Sequence, residues 1–252
     1  MDSALTAVAE RLRGADRLTV LTGAGVSAAS GVPTFRGDGG LWRTHRASEL
    51  ATPEAFERDP ALVWEWYDWR RQTIAACEPN AAHHVLARWS RRPGFTLITQ
   101  NVDGLHERAD TRGVLRFHGS IWHVRCRDGC AGSPASWRDD TVPYPALPPP
   151  CPYCGGLIRP DVVWFGETID PGVFARCAAA TACDVFLMIG TSAVVFPAAG
   201  LVYEARRRGA FTVEINVEAT QASPHVDAVL QGPVEDVLVE LDARLEAGRS
   251  AP

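Results

Sequence analysis

Four of the seven cysteines in this 252-residue sequence fall in two close pairs. Three residues separate Cys126 from Cys130, and two separate Cys151 from Cys154. Two such pairs can present four thiolates tetrahedrally to zinc, as zinc ribbons do. Because four protein ligands would fill the coordination shell, the pattern predicts one structural zinc ion. Reduced cysteines without metal are the alternative, and the longer first spacing leaves the geometry of that knuckle open.

A glycine-rich loop at residues 23–28 reads G-A-G-V-S-A. It follows an apolar segment, in a context where glycines allow a tight turn and close approach to a pyrophosphate at a helix N-terminus. A strand-to-helix turn without a ligand is the alternative. Dehydrogenases use an acidic residue about 20 positions later for the ribose hydroxyls. Glu49 lies too late and follows no predicted strand, so an ordinary oxidoreductase fits poorly.

Gln100, Asn101 and Asp103 come directly after another apolar segment. The carboxyl end of a parallel strand is where open α/β folds bind ligands, although an Asx turn with a helix cap is the alternative for any one of these residues. His118 is followed by a glycine that leaves space beside it. Imidazole titrates near neutrality, so His118 is a candidate general base, whereas an isolated histidine is more often structural.

Tyr67 and Arg70 stand three residues apart in a segment of helical texture that begins at Thr52-Pro53. Residues at this spacing share one helix face, so a phenol and a guanidinium would point together. A surface arginine beside a core tyrosine is the alternative.

These residues need a scaffold, and short apolar runs alternating with helical segments predict an α/β fold with a parallel sheet. The predicted strands are residues 17–21, 95–99, 184–189 and 211–215. A Rossmann-like domain is expected from residues 1–37, 77–121 and 161–252, with a helical insert at 38–76. The proline- and cysteine-rich stretch at 122–160 is predicted to be a smaller inserted zinc-ribbon module.

Composition narrows the functional classes. The net charge of -5 disfavours nucleic-acid binding, and no apolar run approaches the roughly 20 residues of a membrane helix. The acidic N-terminus does not look like a secretion signal, so we expect a cytoplasmic monomer with no membrane association. All 25 basic residues are arginine, so a lysine-modifying enzyme of this sequence could not act on its own side chains.

Six segments occur in the order seen in sirtuins, a family of NAD-dependent protein-lysine deacylases: GAGVSAASGVPTFRG, TQNVDGLH, FHGS, CPYCGG, GTSAVVFPAAG and INVE. The chain resembles that family over nearly its whole length. The resemblance implies that NAD is consumed as a co-substrate, with acylated-lysine proteins as partners. The implied cofactor-binding residues are Gly23, Ala24, Gly25, Ala28, Phe35, Arg36, Gln100, Asn101, Asp103, Gly190, Thr191, Ser192, Asn216, Glu218 and Val234.

The resemblance also implies the chemistry. The acyl-lysine oxygen displaces nicotinamide from the ribose, and His118 then deprotonates a ribose hydroxyl that attacks the resulting imidate. The products are lysine, nicotinamide and an O-acyl-ADP-ribose. The implied substrate-binding residues are Ala51, Tyr67, Arg70, Val162, Trp164, Phe165, Gly166 and Glu167.

Sirtuins that remove succinyl, malonyl or glutaryl groups carry a tyrosine–arginine pair like Tyr67 and Arg70, and a small residue like Ala51. A guanidinium and a phenol can orient the carboxylate at the end of such an acyl chain. We therefore predict a desuccinylase and demalonylase with weaker deacetylase activity. A general deacetylase and a protein ADP-ribosyltransferase are the enzymatic alternatives, and a nucleic-acid-binding zinc ribbon is disfavoured by the acidic balance.

Overall fold

The computed structural model describes residues 2–34, 41–42 and 44–248. The helices are α1 (Asp2–Arg13), α2 (Gly25–Ala28), α3 (Ala47–Leu50), α4 (Pro53–Arg58), α5 (Pro60–Ala75), α6 (Ala81–Trp89), α7 (Leu105–Arg108), α8 (Pro171–Ala180), α9 (Gly200–Arg207) and α10 (Val234–Ala247). The strands are β1 (Leu18–Thr22), β2 (Leu41–Trp42), β3 (His45–Arg46), β4 (Phe95–Thr99), β5 (Val114–Arg116), β6 (Gly119–Cys126), β7 (Trp137–Arg138), β8 (Ile158–Val162), β9 (Val185–Ile189), β10 (Phe211–Asn216) and β11 (Ala228–Gln231). None of the helices in this described part is long and apolar enough to cross a membrane.

Six parallel strands form the main sheet in the order β11-β10-β9-β1-β4-β5. Numbered along the chain, this is the 3-2-1-4-5-6 order of a Rossmann fold. Strands β1 and β9 are buried at every position, and the sequence of β9 is apolar throughout while that of β1 includes two threonines. The sheet therefore reverses its winding direction between β1 and β9, which opens a crevice at their carboxyl ends.

Helices cover both faces of the main sheet. Helices α1, α6 and α10 contribute to one core through apolar residues such as Leu12, Leu86 and Leu241. Helices α8 and α9 contribute to the other core, with Cys177 and Leu201 among its buried residues. The four predicted strands are each found to within a residue or two, and the predicted Rossmann-like class is confirmed.

A smaller antiparallel sheet of β6, β7 and β8 forms a second lobe with helices α3, α4 and α5. This sheet begins at Gly119 and ends at Val162, a few residues outside the predicted 122–160 module. The segment of helical texture that begins at Thr52-Pro53 contains two helices, α4 and α5, because Asp59 caps a new one at Pro60. Its carboxylate accepts the Leu62 backbone N–H at 2.9 Å.

Buried Arg71 joins helix α5 to the small sheet. Its guanidinium donates to the backbone oxygens of Ile121 and Thr141 at 3.1 and 3.2 Å, and it pairs with Asp139. The side chain is fully enclosed, so its charge is balanced by these partners. The helix that carries Tyr67 and Arg70 is thereby fixed to the small sheet.

Gly94, in the turn before β4, lies where the backbone beside the main sheet leaves no room for a side chain. Its φ is +74°, and a Cβ there would lie 2.1 Å from the Asp16 carbonyl oxygen. We expect Gly94→Ala to lower the free energy of unfolding by roughly 2–4 kcal/mol, because strain and a backbone clash add. Gly113→Ala, also at positive φ but with open space around its Cβ, should cost less than half as much in urea unfolding. Equal losses in the two variants would contradict this account.

Candidate active site

A cleft of about 1850 Å³ lies at the carboxyl edge of the main sheet and reaches the small lobe. Pockets for one small molecule typically measure about 300–1000 Å³. The cleft is therefore large enough for a dinucleotide and part of a second substrate together.

The glycine loop crosses the chain that leaves β9 at very short range. The Gly25 N–H donates to the Gly190 oxygen at 2.8 Å, and the Gly23 N–H donates to Ile189 at 3.0 Å. A Cβ on Gly25 would lie 2.8 Å from the Gly190 Cα, so a side chain cannot be added there without moving the backbone. This packing places the loop at the crevice between β1 and β9.

Asn101, Ser27 and Asp103 form a hydrogen-bonded group behind the glycine loop. The Asn101 amide donates to the Gly23 oxygen at 3.1 Å and to the Ser27 hydroxyl at 3.2 Å. Ser27 in turn donates to the Asp103 carboxylate at 2.8 Å. Asp103 is buried, which raises the pKa of its carboxyl, against the lowering effect of its hydrogen bonds from the Leu105 N–H and Ser27. These bonds hold an amide and a carboxyl group at fixed positions in the cleft.

His118 faces the same cleft from the turn between β5 and β6. Its Nδ1 lies 3.1 Å from the Gln100 backbone oxygen. Because a carbonyl only accepts, Nδ1 carries the proton and Nε2 keeps its lone pair. Burial lowers the pKa of His118, while the bond to Gln100 raises it. The side chain is thus an oriented base that is neutral at physiological pH.

His83 and His106 lie deeper, with ring centroids 4.9 Å apart. His106 bonds the Thr22 hydroxyl at 3.0 Å, and His83 approaches Ser27 at 3.5 Å. Burial holds the pKa of His83 at about 3 and that of His106 at about 4. Both rings are therefore neutral supports beneath the Asn101 and Asp103 group.

Tyr67 and Arg70 line the end of the cleft formed by helix α5, together with Ala51 and Trp66. The Arg70 guanidinium lies 4.9 Å from the Trp66 ring centroid and 5.6 Å from that of Tyr67. Burial lowers the pKa of Arg70 because the surroundings solvate its charge poorly. A carboxylate entering this end of the cleft would meet a cation that lies beside two adjacent aromatic rings.

The four paired cysteines meet at one point in the small lobe. The sulfur atoms of Cys126, Cys130, Cys151 and Cys154 all lie within 4.8 Å of one another. Two of the sulfur pairs lie 3.8 and 4.0 Å apart. A zinc ion with Zn–S bonds of about 2.3 Å needs tetrahedral sulfurs roughly 3.8 Å apart, so the cluster fits zinc.

The family model for the Sir2 family matches residues 23–197, which include the glycine loop, His118 and the four cysteines. The chain belongs to the Sir2 family. The predicted resemblance to sirtuins is therefore confirmed.

This Sir2-family chain is similar to named proteins over most of its length. It is 46% identical to NAD-dependent protein deacylase 1 of Pseudomonas aeruginosa, covering 97% of this chain and all of that protein. It is 49% identical to the NAD-dependent protein deacylase of Aquifex aeolicus, covering 83% of this chain and 87% of that protein. A solved Sir2 homologue in complex with NAD superposes with a TM-score of 0.90 at 43% identity, covering 97% and 94% of the two chains.

The cleft brings together most of the residues predicted to bind NAD. They are Gly23, Ala24, Gly25, Ala28, Gln100, Asn101, Asp103, Gly190, Thr191, Ser192, Asn216 and Val234. Phe35 and Arg36 lie outside the described residues. Glu218 is exposed two residues beyond the end of β10, and its neighbours Val217 and Ala219 line the cleft while it does not.

All the predicted substrate-binding residues line the cleft, namely Ala51, Tyr67, Arg70, Val162, Trp164, Phe165, Gly166 and Glu167. Glu167 differs from the others in its environment. The Glu167 carboxylate is occupied by Arg159 and by the Trp164 backbone N–H. Sequence reasoning missed Ser27, His83 and His106; Ser27 lies inside the quoted glycine motif, which was the available signal.

The zinc assignment predicts that purified protein contains one equivalent of zinc that resists mild dialysis. Cys151→Ser should yield insoluble or unfolded protein, because a closed thiolate shell couples metal binding to folding. Metal analysis and circular dichroism provide the measurement. Cys183→Ser is the control, since that buried thiol lies outside the cluster, and it should keep its zinc. A soluble, fully active Cys151→Ser protein without metal would refute a structural zinc ion.

Proposed function

We propose that this Sir2-family protein is an NAD-dependent protein-lysine deacylase that prefers succinyl- and malonyl-lysine and removes acetyl groups more weakly. The relatives named as NAD-dependent protein deacylases and the solved complex with NAD support the general activity. The observation that carries the acyl preference is the joint position of Tyr67 and Arg70 in the cleft.

The chemistry of that end of the cleft favours an acyl chain that ends in a carboxylate. Arg70 supplies a cation beside the aromatic rings of Trp66 and Tyr67, within electrostatic range of Asp103. A carboxylate entering such a site gains a charge-assisted hydrogen bond, which is about twice as strong as a neutral one. An acetyl group has no carboxylate and gains nothing from the cation.

His118 supplies the general base for the proposed reaction. Its Nε2 lone pair, fixed by the bond from Nδ1 to Gln100, can accept the proton of a ribose hydroxyl. NAD, when bound, would supply the ribose that receives the acyl group once the acyl-lysine oxygen has displaced nicotinamide, and His118 would hold the proton given up by the ribose hydroxyl. Asn101 and Asp103, held through Ser27, are suited to the nicotinamide end of NAD.

His118→Ala should reduce kcat/KM for deacylation by at least about 100-fold, the usual contribution of a positioned general base. NAD binding, measured by calorimetry, should change by no more than a few-fold because the proton transfer follows binding. His225→Ala is the control, because that histidine is exposed and packs against Tyr203. Substantial turnover by the His118→Ala variant would mean that another residue is the base.

Arg70→Met should lower the ratio of kcat/KM for succinyl-lysine over acetyl-lysine peptide by at least about tenfold, because a charged hydrogen bond contributes roughly 1.5–3 kcal/mol. Tyr67→Phe should act in the same direction but more weakly. The ratio cancels general damage to the fold or to NAD binding. Arg207→Met, on the exposed face of α9, is the control. If Arg70→Met reduces both substrates equally, the protein is a general deacetylase.

A further inference from the structure

Arg159 is a buried arginine in β8, beside the acyl end of the cleft. Its guanidinium forms a two-pronged contact with the Glu167 carboxylate, at 2.6 and 2.9 Å. It also donates to the Val162 backbone oxygen at 3.1 Å. Two-pronged arginine–carboxylate pairs fix the plane of the guanidinium as well as its position.

The fixed plane of Arg159 lies against the ring of Trp164. The guanidinium carbon is 3.4 Å from the ring centroid, which is a close stacking contact. The backbone N–H of Trp164 donates to Glu167 at 2.9 Å. Arg159 and Glu167 therefore restrain both the backbone and the ring of Trp164.

Trp164 in turn contacts the hydroxyl of Tyr67. Its indole N–H donates to the Tyr67 oxygen at 2.9 Å, and both side chains are buried. An indole N–H only donates, so the phenol accepts here and its own hydrogen is directed to a different acceptor. Tyr67 lines the cleft beside Arg70, where the carboxylate of an acyl chain would be that acceptor.

We propose that Arg159 is a positioning residue for acyl selectivity, which acts through the ring of Trp164 to orient the hydroxyl of Tyr67 toward the acyl carboxylate. This inference rests on the proposed function. Arg159 does not touch the substrate in this scheme, and its influence passes through two side chains.

A purely structural role is the competing explanation. A buried ion pair is weak evidence for a contribution to stability, because desolvation offsets much of the attraction between its charges. The two roles differ in their coupling to Tyr67. A structural arginine would affect succinyl and acetyl substrates alike, whereas a positioning arginine would affect only the interaction that Tyr67 makes.

The first experiment is a mutant cycle on the ratio of kcat/KM for succinyl over acetyl peptide. Trp164→Phe keeps the stacked ring but removes the N–H, and Arg159→Lys keeps the charge but loses the planar fork. Each should lower the ratio by about 3- to 10-fold, the effect of one neutral hydrogen bond. Arg159→Lys added to Tyr67→Phe should cause no further loss, because the hydroxyl on which it acts is already gone.

The second experiment uses the indole cross-peak of Trp164 in ¹H–¹⁵N spectra, assigned with Trp164→Phe. Tyr67→Phe should shift this peak because its acceptor is lost, and Arg159→Lys should shift it in the same direction and speed its exchange with solvent. The peaks of the other seven tryptophans should stay largely in place. Arg125→Lys is the matched control, since Arg125 lies 3.7 Å from the same carboxylate, beyond hydrogen-bond range.

The outcomes distinguish failure of the positioning role of Arg159 from failure of the proposed acyl preference. An additive loss in the double variant, or an unmoved Trp164 peak in Arg159→Lys, overturns the positioning role. If the wild-type protein does not favour succinyl peptide but the Trp164 peak moves as expected, the orienting contact is supported and the acyl preference fails. If Arg125→Lys reproduces every effect of Arg159→Lys, the general charge around Glu167 is responsible and the inference is wrong.

Discussion

The backbone contact between Gly25 and Gly190 is the constraint on which the rest of the cleft depends. The two backbone segments approach so closely that neither glycine has room for a Cβ. This contact fixes the start of α2 against the end of β9, at the point where the sheet reverses direction. Gly23, Asn101 and Ser27 take their positions from that junction, since they bond to the loop or lie within it.

The small lobe is attached to this junction by aromatic and arginine side chains. The Trp122 indole donates to the Asp103 backbone oxygen at 2.6 Å, and the Arg71 guanidinium lies 5.2 Å from the Trp122 ring centroid. Arg71 belongs to the helix that carries Tyr67 and Arg70. A continuous set of contacts therefore links the end of the cleft at Asp103 to the end lined by Tyr67 and Arg70, so the two halves of the site keep a defined distance.

Features set by local sequence could be predicted, whereas those set by long-range contact could not. The strands, the glycine loop and the four cysteines follow from apolar runs and fixed spacings. The hydrogen bond from Trp164 to Tyr67 joins residues 97 positions apart, which no local pattern indicates. His83 and His106 gave no signal for the same reason, because a histidine's burial depends on packing. Glu218 does not line the cleft although both of its neighbours do, and its direction in this exposed segment could not be read from the sequence.

The residues suited to NAD and those at the proposed acyl end of the cleft come mostly from different lobes, and this separation has an evolutionary consequence. The residues suited to NAD come mostly from the carboxyl edge of the sheet, where several are hydrogen-bonded to one another, whereas Tyr67 and Arg70 of the proposed acyl pocket come from a single turn of α5. If the proposed function holds, a gene duplicate could acquire a new acyl preference through a few substitutions on one helix. The residues suited to NAD would stay unchanged while the choice of modification diverges.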